Sequence, residues 1–294
     1  MPDDGARRQS GWHAALPIGV DVALIIHSRT GARIAGGSPT AAEVREARRS
    51  GITTLRLDTA SFDRAGADMQ WVTDIPTLRT VFLHERVKTP DLASMAGATV
   101  DELCVWTPGA TPVSGEEIGW FRRIDCEAAS FVTDGWRHLT GVVTLHVGRV
   151  TDPDVRIGDG CHQLTFLKLR GRSQTARLAW QQPPASLGTF MTHSLRWRDL
   201  DDLARCAQLT SVQVYNSTVD IHQGTIDISA FAQTPTLREL HLAENLPLRG
   251  VPAVLAGAPD VTVHVARDLH DAPDDADRIH RITVPIKKQR PLTP

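Results

Sequence analysis

Ten short apolar cores recur along the chain at intervals of 21 to 28 residues, and most follow one pattern, large-x-x-large-x-large. They are Ile52-Leu55-Leu57, Leu78-Val81-Leu83, Val100-Leu103-Val105, Phe121-Ile124-Cys126, Val142-Leu145-Val147, Leu164-Leu167-Leu169, Leu187-Phe190-Thr192, Leu209-Val212-Val214, Leu237-Leu240-Leu242 and Val261-Val263-Val265. Self-similarity at a period in the twenties marks an architecture that stacks one strand-and-return unit many times. A unit that short cannot bury its own apolar face, so its neighbours must cover it. The period therefore fixes the packing partners of each strand before any turn is placed.

The chain divides around this array. Residues 1–17 are polar and read as a flexible N-terminus. Residues 18–50 read as a cap, with a strand over Val20–Ile26, a turn-rich stretch over Ser28–Gly37 and a helix opening at Thr40. Glu43, three residues on, completes a capping box, and Gly51 closes the helix where a left-handed residue costs little. Residues 51–267 hold the repeats. The entry to the strand recurs as Pro-polar-large at Pro76-Thr77-Leu78, Pro235-Thr236-Leu237 and Pro259-Asp260-Val261. Segments 201–206 and 251–256 read as helical returns, and 151–160 as extended. Residues 268–294 form a polar, acidic-then-basic tail, with one edge strand expected over Ile282–Ile286. At 187–197, Leu195-x-Trp197 competes with Leu187-Phe190-Thr192 for the strand, and the spacing favours the latter.

The segments Leu164-Thr165-Phe166-Leu167-Lys168-Leu169 and Leu237-Arg238-Glu239-Leu240-His241-Leu242 resemble the strands of bacterial leucine-rich-repeat proteins. The run from Ile228 to Leu237 is similar to their short convex return. The resemblance implies an α/β fold: a leucine-rich-repeat-like solenoid with a parallel sheet on the concave face and short helices or loops on the convex face. The asparagine that the family places after the strand is missing from nearly every repeat. A right-handed β-helix, a fold whose members cleave or bind polysaccharides, is the rival. It has strands on several faces and no helices, so the helices expected at 40–50, 201–206 and 251–256 favour the leucine-rich-repeat reading.

In such a strand the large residues point inward and the residues between them point out. The middle outward position gives Arg56, Phe82, Cys104, Asp125, His146, Lys168, Met191, Gln213, His241 and His264. The position after the last large residue gives Asp58, His84, Trp106, Glu127, Gly148, Arg170, His193, Tyr215, Ala243 and Ala266. Neighbours in a column stand about 4.8 Å apart. Exposed Trp, Tyr and Arg are the residue types that dominate binding hot spots. The candidate binding residues are accordingly Arg56, Phe82, His84, Trp106, Asp125, His146, Lys168, Arg170, Gln213, Tyr215 and His241.

Other chemistries fit less well. Zinc needs three or four ligands converging on one point, whereas the histidines spread along the columns. Cys104, Asp125 and His146 occupy consecutive middle positions, but two strand spacings put thiol and imidazole about 9.6 Å apart, beyond hydrogen-bond reach. Phosphate-loop, nucleophile-elbow, dinucleotide and zinc-protease motifs do not occur. No cofactor and no catalytic residue is expected. The net charge of −2 offers no footprint for nucleic acid or an anionic membrane. No apolar run reaches the roughly 18 residues of a membrane helix. Arg7-Arg8 before Ala14–Ile26 imitates an export signal, but Pro17 and Asp21 interrupt it. Cys104, Cys126, Cys161 and Cys206 contain no C-x-x-C pair, and scattered free thiols fit a reducing, cytoplasmic compartment. The sequence thus reads as a non-catalytic scaffold that holds an unidentified protein partner on its concave face, an immunity or inhibitor protein being one form. The alternative is a β-helix-like carbohydrate-active or carbohydrate-binding protein.

Overall fold

A computed structural model describes residues 24–26, 31–34, 38–57, 68–83, 91–105, 115–130, 135–172, 175–215, 225–243, 248–265, 271 and 276–281. Its strands in chain order are β1 (Leu24–Ile26), β2 (Gly31–Ile34), β3 (Thr54–Leu57), β4 (Thr80–Leu83), β5 (Glu102–Val105) and β6 (Arg123–Glu127). These are followed by β7 (Thr144–Val150), β8 (Asp154–Val155), β9 (Phe166–Gly171), β10 (Thr175–Leu178), β11 (Thr189–His193) and β12 (Arg196–Trp197). The last are β13 (Ser211–Tyr215), β14 (Ile226–Asp227), β15 (Glu239–Ala243), β16 (Leu248–Arg249), β17 (Thr262–Val265) and β18 (Ile279–Arg281).

One 13-stranded sheet runs through the molecule in the order β1-β2-β3-β4-β5-β6-β7-β9-β11-β13-β15-β17-β18. Only β1 is antiparallel to its neighbour, so twelve strands follow one another in parallel and in chain order. The ten apolar cores are in register. Leu55, Val81, Leu103, Ile124, Leu145, Leu167, Phe190, Val212, Leu240 and Val263 form one inward row, every member fully buried. Each such side chain contributes roughly 1.5–3 kcal/mol relative to exposure. The strand at 187–197 is the one the spacing favours, since β11 pairs with β9 and β13 residue for residue.

Two strands of this sheet lie where none was expected. β2 falls inside the stretch read as turn-rich, and pairs with β3 through Gly31↔Thr54 to Ile34↔Leu57. Opposite Leu55 it places the small, buried Ala32, which hides it from a search for large residues. β18 falls inside the polar tail and pairs with β17 through Val263↔Ile279. The sheet thus passes both of the expected limits at 50 and 267, and the expected edge strand at 282–286 lies outside the described residues.

Each return segment drops a large residue behind the sheet. Helix α1 (Ala41–Ser50) buries Val44 and Ala47 and is closed by Gly51 at φ 63°. Thr40 and Glu43 make the reciprocal capping box, and the same carboxylate accepts from Leu24 N–H at 3.1 Å, tying β1 to the helix. Further on, 3-10 turns bury Val72, Leu203 and Phe231, and helix α3 of the return side (Val251–Gly257) buries Val254. In the central repeats the return is itself a small parallel sheet, β12-β10-β8, and β14 pairs with β16. There the cross-section approaches a β-helix, whereas α1, α3 and the 3-10 turns set the other repeats apart from one.

At the entries of β4, β5, β6, β7, β9, β11, β13 and β15 one backbone carbonyl accepts from two successive amides of the next repeat. Thr53 O takes Arg79 and Thr80, Arg122 O takes Val143 and Thr144, and Gly188 O takes Thr210 and Ser211. Threonine hydroxyls reinforce these seams: Thr77 donates to Ile52 O at 2.7 Å, Thr165 to Val143 O at 3.1 Å and Thr236 to Leu209 O at 2.8 Å. This explains the polar residue of the Pro-polar-large entry at Thr77 and Thr236.

Candidate binding face

The expected middle column exists. Arg56, Phe82, Cys104, Asp125, His146, Lys168, Met191, Gln213, His241 and His264 stand side by side, and His280 of β18 extends the row. All are half-buried or exposed except Cys104. Its short thiol lies between the larger Phe82 and Asp125 and is buried, so it presents nothing to a partner. Burial, with Glu102 and Asp125 adding to it, raises its pKa far above the usual thiol value. Arg170 and Tyr215 hold the next outward column beside His193. Four expected members of that column, Asp58, His84, Trp106 and Ala266, lie outside the described residues.

Toward β6 the carboxylates of this face are already engaged. Glu102 receives Arg123 at 3.0 Å and the Thr80 hydroxyl at 2.9 Å. Asp125 stands 3.6 Å from His146 Nδ1, and Glu127 receives Arg149 at 3.0 Å. Toward β15, Glu239 accepts from Ser211 at 3.0 Å and weakly from Gln213 at 3.4 Å, while Tyr215 OH donates to Gln213 Oε1 at 3.3 Å. Between these groups, Lys168 and Arg170 on β9 have no carboxylate within salt-bridge distance among the described residues.

A bulge opens the sheet beside them. Val147 pairs with Leu169, but Val150 pairs with Gly171, so β7 uses one residue more than β9. Arg149 takes the left-handed conformation at φ 50° within this bulge. The resulting cavity of about 500 Å³ is lined by Asp125, Glu127, His146, Arg149, Lys168, Arg170 and Arg172 among others. Gly148 was legible in the sequence as an outward position, but the register shift was not.

Past the bulge the face becomes a ladder of rings. His193 stacks on Tyr215 with centroids 4.8 Å apart and planes at 16°. Tyr215 meets His241 at 4.9 Å, His241 stacks on His264 at 5.5 Å, and His264 meets His280 at 5.2 Å. His146 keeps apart from them, tilted against Phe166 at 5.3 Å. Sequence reasoning placed four ladder members in its columns but missed His280, because β18 lacks the repeat pattern. It missed Phe166 because the first outward position of the strand was left out of the columns. Burial lowers the pKa of His193, with Lys168 and Arg170 adding to the effect. Burial and the neighbouring His264 lower that of His241. Both are therefore neutral rings at pH 7, and burial holds the Tyr215 phenol in its protonated form.

Stacked imidazoles lie face to face instead of converging. Among the described residues no group of three or more His, Cys, Asp or Glu is placed to hold a metal ion. All four cysteines are buried and free. Burial pushes the thiols of Cys161 and Cys206 up to about 12. Among the described residues no helix is long and apolar enough to cross a membrane.

Twelve parallel strands in chain order, with helical, 3-10 or short-strand returns behind them, define a leucine-rich-repeat-like solenoid presenting an outward sheet face. Among solved structures the chain is similar to an internalin, InlF, from Listeria monocytogenes, at 13% identity and a TM-score of 0.42, covering 80% of this chain and 72% of that one. No family model and no curated protein matches the chain. Strand order and register, not that distant likeness, establish the fold.

Proposed function

We propose that the chain is a non-catalytic protein-binding scaffold whose partner seats on the outward face of the long sheet, over β9 to β18. The ring ladder from His193 to His280 carries this reading. Its rings are flat, half-exposed and neutral at pH 7 where their titration is shifted, and they are held in place by one another. They supply apolar contact at little cost in side-chain order, which favours a hot spot. Lys168 and Arg170 at its edge, without a carboxylate partner among the described residues, supply polar specificity. An immunity or inhibitor role is the particular form we favour, because it asks for a broad rigid face and no reaction centre. The buried free thiols support a reducing, cytoplasmic setting.

The test uses immobilised full chain against host extract, with Tyr215→Ala/His241→Ala alongside. The expected result is a stoichiometric bound protein that the double variant loses while its melting temperature holds. Identical capture by both would refute the outward face as the binding site. For the immunity form, the bound protein should be toxic when expressed alone and harmless with this chain.

A further inference from the structure

We infer that the cavity at the β7–β9 bulge is an anion subsite that takes an acidic side chain of a protein partner on Lys168 and Arg170. The inference rests on the protein-binding reading above and gives the partner segment its chemistry.

Four cationic side chains line this cavity, Arg149, Lys168, Arg170 and Arg172, against two carboxylates, Asp125 and Glu127. Glu127 is paired with Arg149, and Asp125 stands 3.6 Å from His146 Nδ1. The cations outnumber the carboxylates, and Lys168 and Arg170 lie on the same face of β9 at alternate positions. The lowered titration of His193, in register with Arg170, reflects the same two cations acting on the ring ladder. Their field is thus present at the junction between cavity and rings. A guanidinium and an ammonium side by side match a carboxylate, which accepts from both at once.

The neighbouring rings separate a peptide from a free anion. The cavity of about 500 Å³ admits a short peptide segment whose carboxylate meets the cations. It adjoins the rings, through His193 opposite Arg170, so an apolar residue next to the acidic one would lie on the ladder, a contact that an inorganic anion does not make.

The probe is a fluorescein-labelled peptide of alternating Glu and Phe, with a Gln-for-Glu counterpart, followed by anisotropy with the full chain at low salt. The Glu peptide should bind, the Gln peptide should bind about tenfold more weakly, and Lys168→Gln/Arg170→Gln should abolish the difference. Raised salt should weaken only the Glu peptide. Equal binding of both peptides, unchanged by the double variant, would overturn the subsite while leaving protein binding on the face intact. No binding of either peptide would also overturn the subsite, and the capture experiment would then decide the protein-binding reading separately. Displacement by inorganic phosphate as effective as by unlabelled Glu peptide would reduce the cavity to a simple anion site and overturn the peptide assignment. Melting curves of each variant exclude loss of fold.

Discussion

The indole N–H of Trp197 donates to the hydroxyl of Thr192 at 3.3 Å inside the core. Thr192 is fully buried in an inward row otherwise filled by aliphatic side chains and one cysteine. Trp197, on the return sheet, packs edge-on to Phe190 with centroids 5.8 Å apart. The threonine is there because the large ring that fills this repeat brings a donor that must be satisfied away from water.

Thr192→Val keeps the volume and removes the acceptor. It should cost about 1–3 kcal/mol, whereas Thr192→Ser, which keeps the hydroxyl, should lose less of the Trp197 bond. Urea unfolding followed by tryptophan fluorescence measures both, with the midpoint moving and the slope unchanged. A neutral Thr192→Val would mean that the contact contributes nothing.

The ring ladder makes stability fall on acidification. The unfolded chain takes up protons on His193 and His241 around pH 6.5, whereas the folded chain resists until lower pH. Over that window the unfolded state binds more protons, so stability rises with pH and is fully present above it. Lys168, Arg170 and His264 oppose protonation, and Glu239 beside His241 partly favours it. Melting temperature should drop between pH 7.5 and 5.5, and His193→Gln/His241→Gln should flatten that drop.

The native thiols should be inert. Cys161 and Cys206, held at about 12, and Cys104 and Cys126, which burial raises well above the usual thiol range, carry almost no thiolate at pH 8. Labelling with a maleimide should be slow for folded protein and reach four equivalents in denaturant. Fast labelling of one thiol without denaturant would contradict the burial described.

Gly257 closes α3 against the turn that carries Ala232. A methyl group there would meet Ala232 O at 2.1 Å and Ala232 C at 2.7 Å, both backbone atoms with no room to yield. Gly257→Ala should therefore destabilise by about 1–3 kcal/mol or more, although alanine is the better helix former. Thermal unfolding decides the sign.

The core was legible because burial repeats. From Ile52 to Val265 each large residue of the pattern is inward, and even Thr192 could be placed by spacing alone. β2 and β18 were not legible, since β2 sets the small Ala32 opposite Leu55 and β18 sets Arg281 opposite Val265, where the pattern asks for large apolar residues. The face was legible as columns but not as chemistry. That Cys104 sinks between its neighbours, that Glu127 is engaged while Lys168 is not, and that a bulge parts β7 from β9 depend on side-chain reach and local register. Neither is written in a period. The strands of the return sheet, such as Thr175–Leu178, were missed because their alternation is short and follows no repeat.

The paired amides at the strand entries from β4 to β15 join a repeat only to the one before it. Pulled from both ends, repeats stitched in this way yield like a zip, coil by coil. Each coil of some 22 residues released in the central repeats would lengthen the tether by about 70 Å. A force trace would then read as a staircase whose tread length is the repeat itself.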